Sequence, residues 1–194
     1  MIPIVVCSIY MWYLIVERLL VYRGLKEHEM TIHEAVGIVS GREATVEGYG
    51  LRNLLMQDFM EDRSGIPDVD IDVLRQSGMR IELGLNRNLA SIAVLAAVAP
   101  LLGLLGTVLG MIETFDVISF FGTGNAKAMA NGISVALVTT QTGLLVAIPG
   151  LFMSGMLRRQ SNRLKIQLKE DTSILSRAIR DLMNGKAGRY AERS

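Results

Sequence analysis

The chain has 194 residues, of which 50% are hydrophobic, and its formal net charge is only +1. The apolar residues are concentrated in three long blocks and do not form the short periodic patches expected of a soluble core. The single cysteine, Cys7, excludes an intrachain disulfide, and we expect it to be a buried apolar thiol. These features predict an all-α integral membrane protein with three transmembrane helices and no nucleic-acid partner.

The first apolar block predicts transmembrane helix 1 over residues 1–22. Its uninterrupted apolar run of about 15 residues is short for a helix that crosses a hydrocarbon core about 30 Å thick. Glu17 and Arg18, adjacent and opposite in sign, end the run and fit the membrane surface. A cleaved signal peptide is the alternative, which the missing basic n-region and cleavage motif disfavour.

Residues 23–88 are polar and hold 12 of the 19 acidic residues, so they predict a cytoplasmic helical domain. Thr31 and Glu34 have the spacing of a capping box before a short apolar run. A second helix ends at the breaker segment 64–67. A third helix is predicted to start near Asp68 and to continue into the next apolar block. Its apolar stripe comprises Ile71, Leu74, Met79 and Leu83.

The second and third blocks predict transmembrane helix 2 over 89–118 and transmembrane helix 3 over 133–157. Lys127 is the only basic residue from the start of the second block to the end of the third, whereas Lys and Arg flank the other ends. Under the positive-inside rule, the loop 119–132 is periplasmic, the N-terminus lies outside and the C-terminus is cytoplasmic. Both spans are predicted to extend as helices into the cytoplasm.

Residues 158–194 are predicted to form a cytoplasmic helix followed by a disordered tail. An apolar stripe runs along this helix and needs a partner surface. The chain's own cytoplasmic helices and a neighbouring subunit are both open as that partner. The stripe consists of Leu164, Leu168, Leu175, Ile179 and Leu182.

Small residues recur every three or four positions along the second and third spans, which in lipid lets helices approach closely. A single GxxxG is a weak signal, but two facing small stripes are better evidence of tight packing. Pro100 and Pro149 are predicted kinks, because proline leaves a carbonyl without its amide partner. The predicted packing residues are Gly103, Gly106, Gly110, Gly143, Ala147 and Gly150.

Polar side chains in the two spans are predicted to lie at one depth. At 1.5 Å per residue, Thr107 lies roughly 12 Å inside the outer boundary and Thr140 roughly 10 Å inside. A bond back to its own helix is the simpler explanation for a lone threonine such as Thr107. The amide of Gln141, by contrast, costs several kcal/mol if dry and unpaired, so its cluster should partly face protein or water. That cluster consists of Thr139, Thr140, Gln141 and Thr142.

Neither span carries an ionisable residue at its middle, since Glu113 and Asp116 fall near the outer end. A proton relay usually needs such a group, so if protons cross here another chain must supply the carboxylate. His28 and His33 are the only histidines and have no cysteine or ordered acidic cluster at ligand spacing. We therefore predict no metal site, no cofactor and no enzymatic activity.

At these residues the sequence resembles the MotA/TolQ/ExbB proton-channel family, and most closely its three-span ExbB/TolQ branch. The segment 99–108, APLLGLLGTV, is similar to the APxxGLLGTV signature of the family. The run 17–19 resembles the end of the first span, and 132–149 follows the third-span pattern. One departure is Val135, where members often carry a glutamate.

The resemblance implies a homopentamer in the bacterial inner membrane whose second and third spans line a pore. An ExbD/TolR-like single-span partner would occupy that pore and supply a membrane aspartate, flanked by Thr107 and Thr140, which match the family's pore threonines. The neighbouring Thr139, Gln141 and Thr142 are predicted to line the same ion pathway. A TonB-like or TolA-like protein is a further implied partner. The implied function is to use the proton-motive force for outer-membrane transport or envelope maintenance.

Two alternatives remain beside this function. The first alternative is a non-conducting membrane scaffold for a partner helix, because Val135 stands where family members often carry a glutamate. A flagellar-type stator subunit is disfavoured by the count of three spans.

Overall fold

The computed structural model describes residues 2–27, 29–40, 46, 48–122 and 126–183. Every regular element in this described part is an α-helix, which confirms the all-α fold class. The predicted tail beyond residue 183 and His28 lie outside the described residues. The helices are α1 (Ile2–Gly24), α2 (Ile32–Val39), α3 (Leu51–Glu61), α4 (Pro67–Asn86), α5 (Leu89–Phe121) and α6 (Ala126–Met183).

Three helical stretches are long and apolar enough to cross a membrane, as predicted. They lie in Ile2–Gly24, in the run Pro67–Phe121 and in Ala126–Leu182. In the last two stretches only part of the helix is apolar, because α4 and the second half of α6 carry many charges. A continuous helix satisfies its own backbone hydrogen bonds, which is the requirement that the lipid interior imposes.

The connection between α5 and α6 is shorter than the predicted loop 119–132. Helix α5 continues to Phe121, where Gly122 has φ +67° and donates its N–H to the carbonyl of Ile118. Helix α6 already begins at Ala126. The predicted loop bounds followed the ends of the two apolar blocks, but the segment contains three alanines and no proline, and alanine has the highest helix propensity.

A break separates α4 from α5, where a continuous helix was expected. Helix α4 ends at Asn86, and Asn88 has φ +64°. Asparagine is one of the few residues that adopt this left-handed conformation readily. The Asn88 side-chain amide donates to a carboxylate oxygen of Glu17 at 2.9 Å. The charged end of α1 therefore stabilises the turn that starts α5.

The chain divides into two compact units. The first comprises residues 1–18 and 88–158, and thus most of α1, all of α5 and the first part of α6. The second comprises 19–87 and 159–194, and thus α2, α3, α4 and the charged part of α6. The predicted span 133–157 belongs to the first unit.

The second unit has its own apolar core. Leu51, Leu55 and Phe59 of α3 and Leu74 of α4 are completely buried. A polar network surrounds this core, in which the Arg52 guanidinium donates to Asp171 at 2.9 Å and to the carbonyl of Met30 at 3.1 Å. The second unit is therefore held by both apolar burial and charge-assisted hydrogen bonds.

The predicted capping box at the start of α2 is confirmed. The Glu34 N–H donates to the Thr31 hydroxyl at 3.3 Å, and the Thr31 N–H donates to the Glu34 carboxylate at 2.7 Å. The predicted third helix begins one residue before Asp68, with Pro67 at its first turn. Proline suits this position because the N–H that it lacks would have no partner within the helix.

The apolar stripe of α6 is buried within the second unit, so the chain's own helices are its partner surface. Four of its side chains are at most 4% exposed, and Leu182 is partly exposed. The stripe predicted on α4 is wrong in part, because Met79 is 64% and Leu83 is 73% exposed. At about 100° per residue both lie on the face opposite Leu74. The four buried residues of the α6 stripe are Leu164, Leu168, Leu175 and Ile179.

Candidate functional site

Helices α5 and α6 pack backbone to backbone in the first unit. A Cβ atom on Gly143 would lie 2.8 Å from the carbonyl oxygen of Ala99. A Cβ atom on Gly110 would lie 2.9 Å from the carbonyl oxygen of Gly132. Rising residue numbers on α5 meet falling numbers on α6, so the helices are antiparallel. Glycine is needed at both positions because no side chain fits between the backbones.

All six residues predicted for helix packing lie along this contact. Gly103 and Gly143 face each other, and Ala147 is 2% exposed. A Cβ atom on Gly150 would lie 2.5 Å from the Met11 sulfur and 3.1 Å from Cβ of Ala96. Gly150 is therefore the point where α1 also reaches the helix pair.

Thr139 lies inside the contact between α5 and α6. It is 5% exposed, and its hydroxyl donates to the carbonyl of Ala136 at 2.8 Å. A Cβ atom on Gly106 would lie 2.5 Å from the Thr139 hydroxyl oxygen. Thr139 therefore fills the space left by the missing side chain of Gly106, and within this chain it faces α5.

Thr140 and Thr107 lie beside the contact, at one level of the helix pair. The Thr140 hydroxyl lies 3.4 Å from the carbonyl of Gly103 on α5 and 3.4 Å from that of Ala136 on its own helix. In an α-helix the carbonyl of Gly103 also accepts the N–H of Thr107, so the two threonines meet at the same helical turn. The Thr107 hydroxyl donates to the carbonyl of Leu104 at 2.6 Å.

The two threonines lie on the same side of the helix pair. The contact line of each helix is the row of small residues that touches the other helix. At 100° per residue, Thr107 lies about 55° to one side of the contact line of α5, and Leu95 lies about 65° to the other side. On α6, Thr140 lies about 60° to one side and Thr142 about 100° to the other. Because the helices are antiparallel, these rotations bring Thr107 and Thr140 to one side. Gln141 is exposed and points away from α5.

Helix α1 covers the other side of the pair. The thiol of Cys7 lies 3.7 Å from the carbonyl of Leu95, and the completely buried Met11 reaches Gly150. Cys7 is 9% exposed, which confirms the predicted buried thiol. The side that carries Thr107 and Thr140 is thus left open by α1.

Exposed leucines surround the two threonines on this open side. Leu104 is 59% exposed, Leu137 66% and Leu144 46%. We call this surface, formed by Thr107, Thr140 and the three leucines, the threonine face. It combines one layer of hydroxyl groups with apolar side chains above and below, and it carries no charge.

Sequence reasoning missed three contact residues, namely Thr114, Gly132 and Ala136. Thr114 is 3% exposed, donates to the carbonyl of Gly110 at 2.9 Å and packs against Gly132. Its position four residues after Gly110 was the available signal, since it continues the small-residue spacing. No group of side chains that could hold a metal ion occurs among the described residues.

Comparison with known proteins identifies the family. A family model for the MotA/TolQ/ExbB proton channel family matches residues 43–170. The chain belongs to this family. The match includes all of α5 and the contact residues of α6, and it also covers α3 and α4.

Several proteins named biopolymer transport protein ExbB are similar to the chain. The Aquifex aeolicus protein is 41% identical over 85 residues, which cover 44% of this chain and 57% of that protein. The Helicobacter pylori protein is 41% identical over 93 residues, covering 48% and 59%. The Salmonella typhimurium protein is 31% identical over 123 residues, covering 63% and 50%. The chain thus spans 50–59% of the length of these relatives.

Proposed function

We propose that the chain is the pore-forming subunit of an inner-membrane complex of the ExbB/TolQ type, driven by the proton-motive force. In this proposal the complex energises outer-membrane transport or envelope maintenance. The observation that carries it is the threonine face, where Thr107 and Thr140 lie at one level on the side that α1 leaves open.

A homopentamer would turn the threonine faces toward a common axis. The exposed leucines beside Thr107 and Thr140 would then contact neighbouring subunits or a partner helix, and α1 would face lipid. The outer surface of α1 suits lipid, since Val6 is 60% exposed and Ile9 is 66% exposed. Leucine, valine and isoleucine are the side chains that partition most favourably into the hydrocarbon region.

The carboxylate of the proton pathway would come from a second chain. From residue 89 to residue 157 the ionisable side chains are Glu113, Asp116 and Lys127, all near the outer ends of the helices. We therefore place the aspartate on an ExbD/TolR-like single-span partner that occupies the pore. A TonB-like or TolA-like protein would receive the resulting motion.

The hydroxyl groups of Thr107 and Thr140 can act on that carboxylate because a hydroxyl rotates between acceptors. A hydrogen bond to a charged group contributes about 1.5–3 kcal/mol. One proton that crosses a potential of 100 mV supplies about 2.3 kcal/mol. The two energies are similar, so the loss of one hydroxyl should change the proton cycle measurably.

Proton flux into vesicles that contain the chain and its co-expressed partner tests this role. Thr107→Val and Thr140→Val remove a hydroxyl at nearly constant volume, and each should lower flux about tenfold, which corresponds to about 1.4 kcal/mol. Thr142→Val is the matched control, because Thr142 lies on the other side and bonds to the carbonyl of Val138. Unchanged flux and coupled transport in both test variants would refute the site assignment.

The scaffold alternative rests on Val135, which is 41% exposed at a position where family members often carry a glutamate. A non-conducting scaffold would bind its partner and support envelope function in the presence of a protonophore. A conducting complex would lose that function when the protonophore collapses the potential.

A further inference from the structure

A basic groove lies between α4 and α6 in the second unit. Its volume is about 340 Å³, and four cationic side chains line it, namely Arg75 from α4 and Lys169, Arg177 and Arg180 from α6. The remaining lining groups are hydroxyl side chains, and none of the carboxylates in the described part of the chain lines the groove. We call this feature the basic groove.

The close approach of α4 and α6 forms the floor of the basic groove. A Cβ atom on Gly78 would lie 3.1 Å from the Thr172 hydroxyl oxygen, so the two helices touch beside the groove. Three of the cationic residues share one face of α6, at spacings of eight and three residues, namely Lys169, Arg177 and Arg180. Arg75 projects from the opposite wall.

The positive charge of the groove is poorly compensated. The ion pair of Arg75 with Asp72 is long, at 3.6 Å, and both side chains are more than half exposed. Lys169, whose side chain is 67% exposed, pairs at 3.2 Å with Glu82, whose side chain is 29% exposed. Ion pairs at exposed positions contribute little to stability, so these two pairs hold their cations weakly. Arg177 and Arg180 form no ion pair with any residue that the structure describes.

Hydroxyl groups complete a donor set for an anion. Ser176 is 8% exposed and Ser173 is exposed at the opening of the groove. The Ser176 hydroxyl donates to the carbonyl of Thr172 at 2.7 Å, and it can rotate toward a ligand. The planar guanidinium group binds phosphate oxygens through two parallel hydrogen bonds, a geometry that ammonium groups lack.

We propose that the basic groove binds a phosphate-bearing anion, with Arg177 and Arg180 as its principal ligands and Arg75 closing the site from α4. The volume falls within the range of small-molecule sites. A soluble phosphate compound and the headgroup of an anionic lipid share this chemistry. This site is separate from the threonine face, so the two assignments can fail independently.

Calorimetric titration of the full chain with inorganic pyrophosphate, in phosphatidylcholine nanodiscs, tests the site. We expect saturable binding that weakens as NaCl is raised, because phosphate contacts are screened by salt. The double variant Arg177→Gln/Arg180→Gln should bind at least tenfold more weakly. The control Arg159→Gln/Arg163→Gln removes the same charge from exposed positions of α6 outside the groove and should bind like the wild type.

Arg177→Lys provides a second variant, since it keeps the charge and loses the paired hydrogen bonds, and should give an intermediate affinity. Nanodiscs with phosphatidylglycerol distinguish the sources. If a lipid headgroup fills the groove, phosphatidylglycerol lowers the apparent affinity for pyrophosphate. If the ligand is soluble, the affinity is the same in both lipids.

Three results would overturn the proposal. The first is the absence of saturable pyrophosphate binding by the wild type in phosphatidylcholine. The second is equal affinity of the wild type and Arg177→Gln/Arg180→Gln. The third is a fall in oligomer mass for that double variant without anion binding by the wild type, which would assign the cations to a contact between copies.

Discussion

The backbone contact between α5 and α6 makes a strong prediction about Gly143. An alanine Cβ there would lie 2.8 Å from the carbonyl oxygen of Ala99 and 3.1 Å from Cα of Gly103. Ordinary C···O contacts start near 3.3 Å, so the helices must separate by about 0.5 Å. Overpacking of this kind costs about 1–3 kcal/mol.

Gly155 is the matched control on the same helix. A Cβ atom there would have no neighbour within 4 Å. Both substitutions to alanine gain about 1 kcal/mol of helix propensity, so the difference between the two variants isolates the steric effect. We therefore expect Gly143→Ala to be less stable than Gly155→Ala by about 1–3 kcal/mol, a factor of about 5–150 in the unfolding equilibrium.

Thermal unfolding of the purified variants in one detergent, followed by circular dichroism, measures this difference. For a chain of this size 1 kcal/mol shifts Tm by about 2–4 °C, so the two variants should differ by about 2–12 °C. If Gly143→Ala unfolds at or above the temperature of Gly155→Ala, the helices do not touch at this point and the assigned contact is wrong.

Three further predictions concern the second unit. Thr31→Ala removes the capping box with Glu34 and should lower stability by about 1 kcal/mol, measured by chemical denaturation against Thr31→Ser, which retains the cap. Arg52→Ala leaves the Asp171 side chain, which is 4% exposed, without its cation. The free energy of unfolding should fall by about 3 kcal/mol in the same assay. A change below about 1 kcal/mol would show that the pair is solvated. Burial raises the pKa of Asp171 above its ordinary value of 3.8, although Arg52 opposes the rise. Between pH 3.8 and the pKa of Asp171 in the folded state, the folded protein retains a proton that the unfolded protein has lost. The stabilising contribution of this proton is complete below pH 3.8 and disappears as pH rises through the folded-state pKa. The stability of Asp171→Asn relative to the wild type should therefore increase with pH over that interval, and a flat or falling difference would contradict the burial of this carboxyl.

The spans and the small-residue contact were predictable because lipid imposes simple conditions. A helix that crosses a membrane needs a long apolar run, and helices that touch in lipid need small residues at regular spacing. Both conditions can be read directly from the sequence. The capping box at Thr31 was equally predictable, because its two hydrogen bonds join residues only three positions apart.

Features that depend on the partner helix were not predictable in the same way. Thr139 and Thr140 are adjacent, yet only Thr139 fills the space beside Gly106. Their 100° separation was evident, but the rotation of α5 against α6 decides which of them is buried. The exposure of Met79 has a similar cause, since the rotation of α4 against its neighbours determines its environment. The break at Asn88 depends on a hydrogen bond to Glu17, 71 residues earlier.

The contact between Gly143 and Ala99 also bears on where water can go. A water molecule needs a space of its own and two to four polar partners, whereas these backbones already touch. The seam inside one subunit is therefore sealed against a file of water molecules. In the proposed assembly, a hydrated route would therefore run between subunits or beside a partner helix, and not between α5 and α6 of one copy.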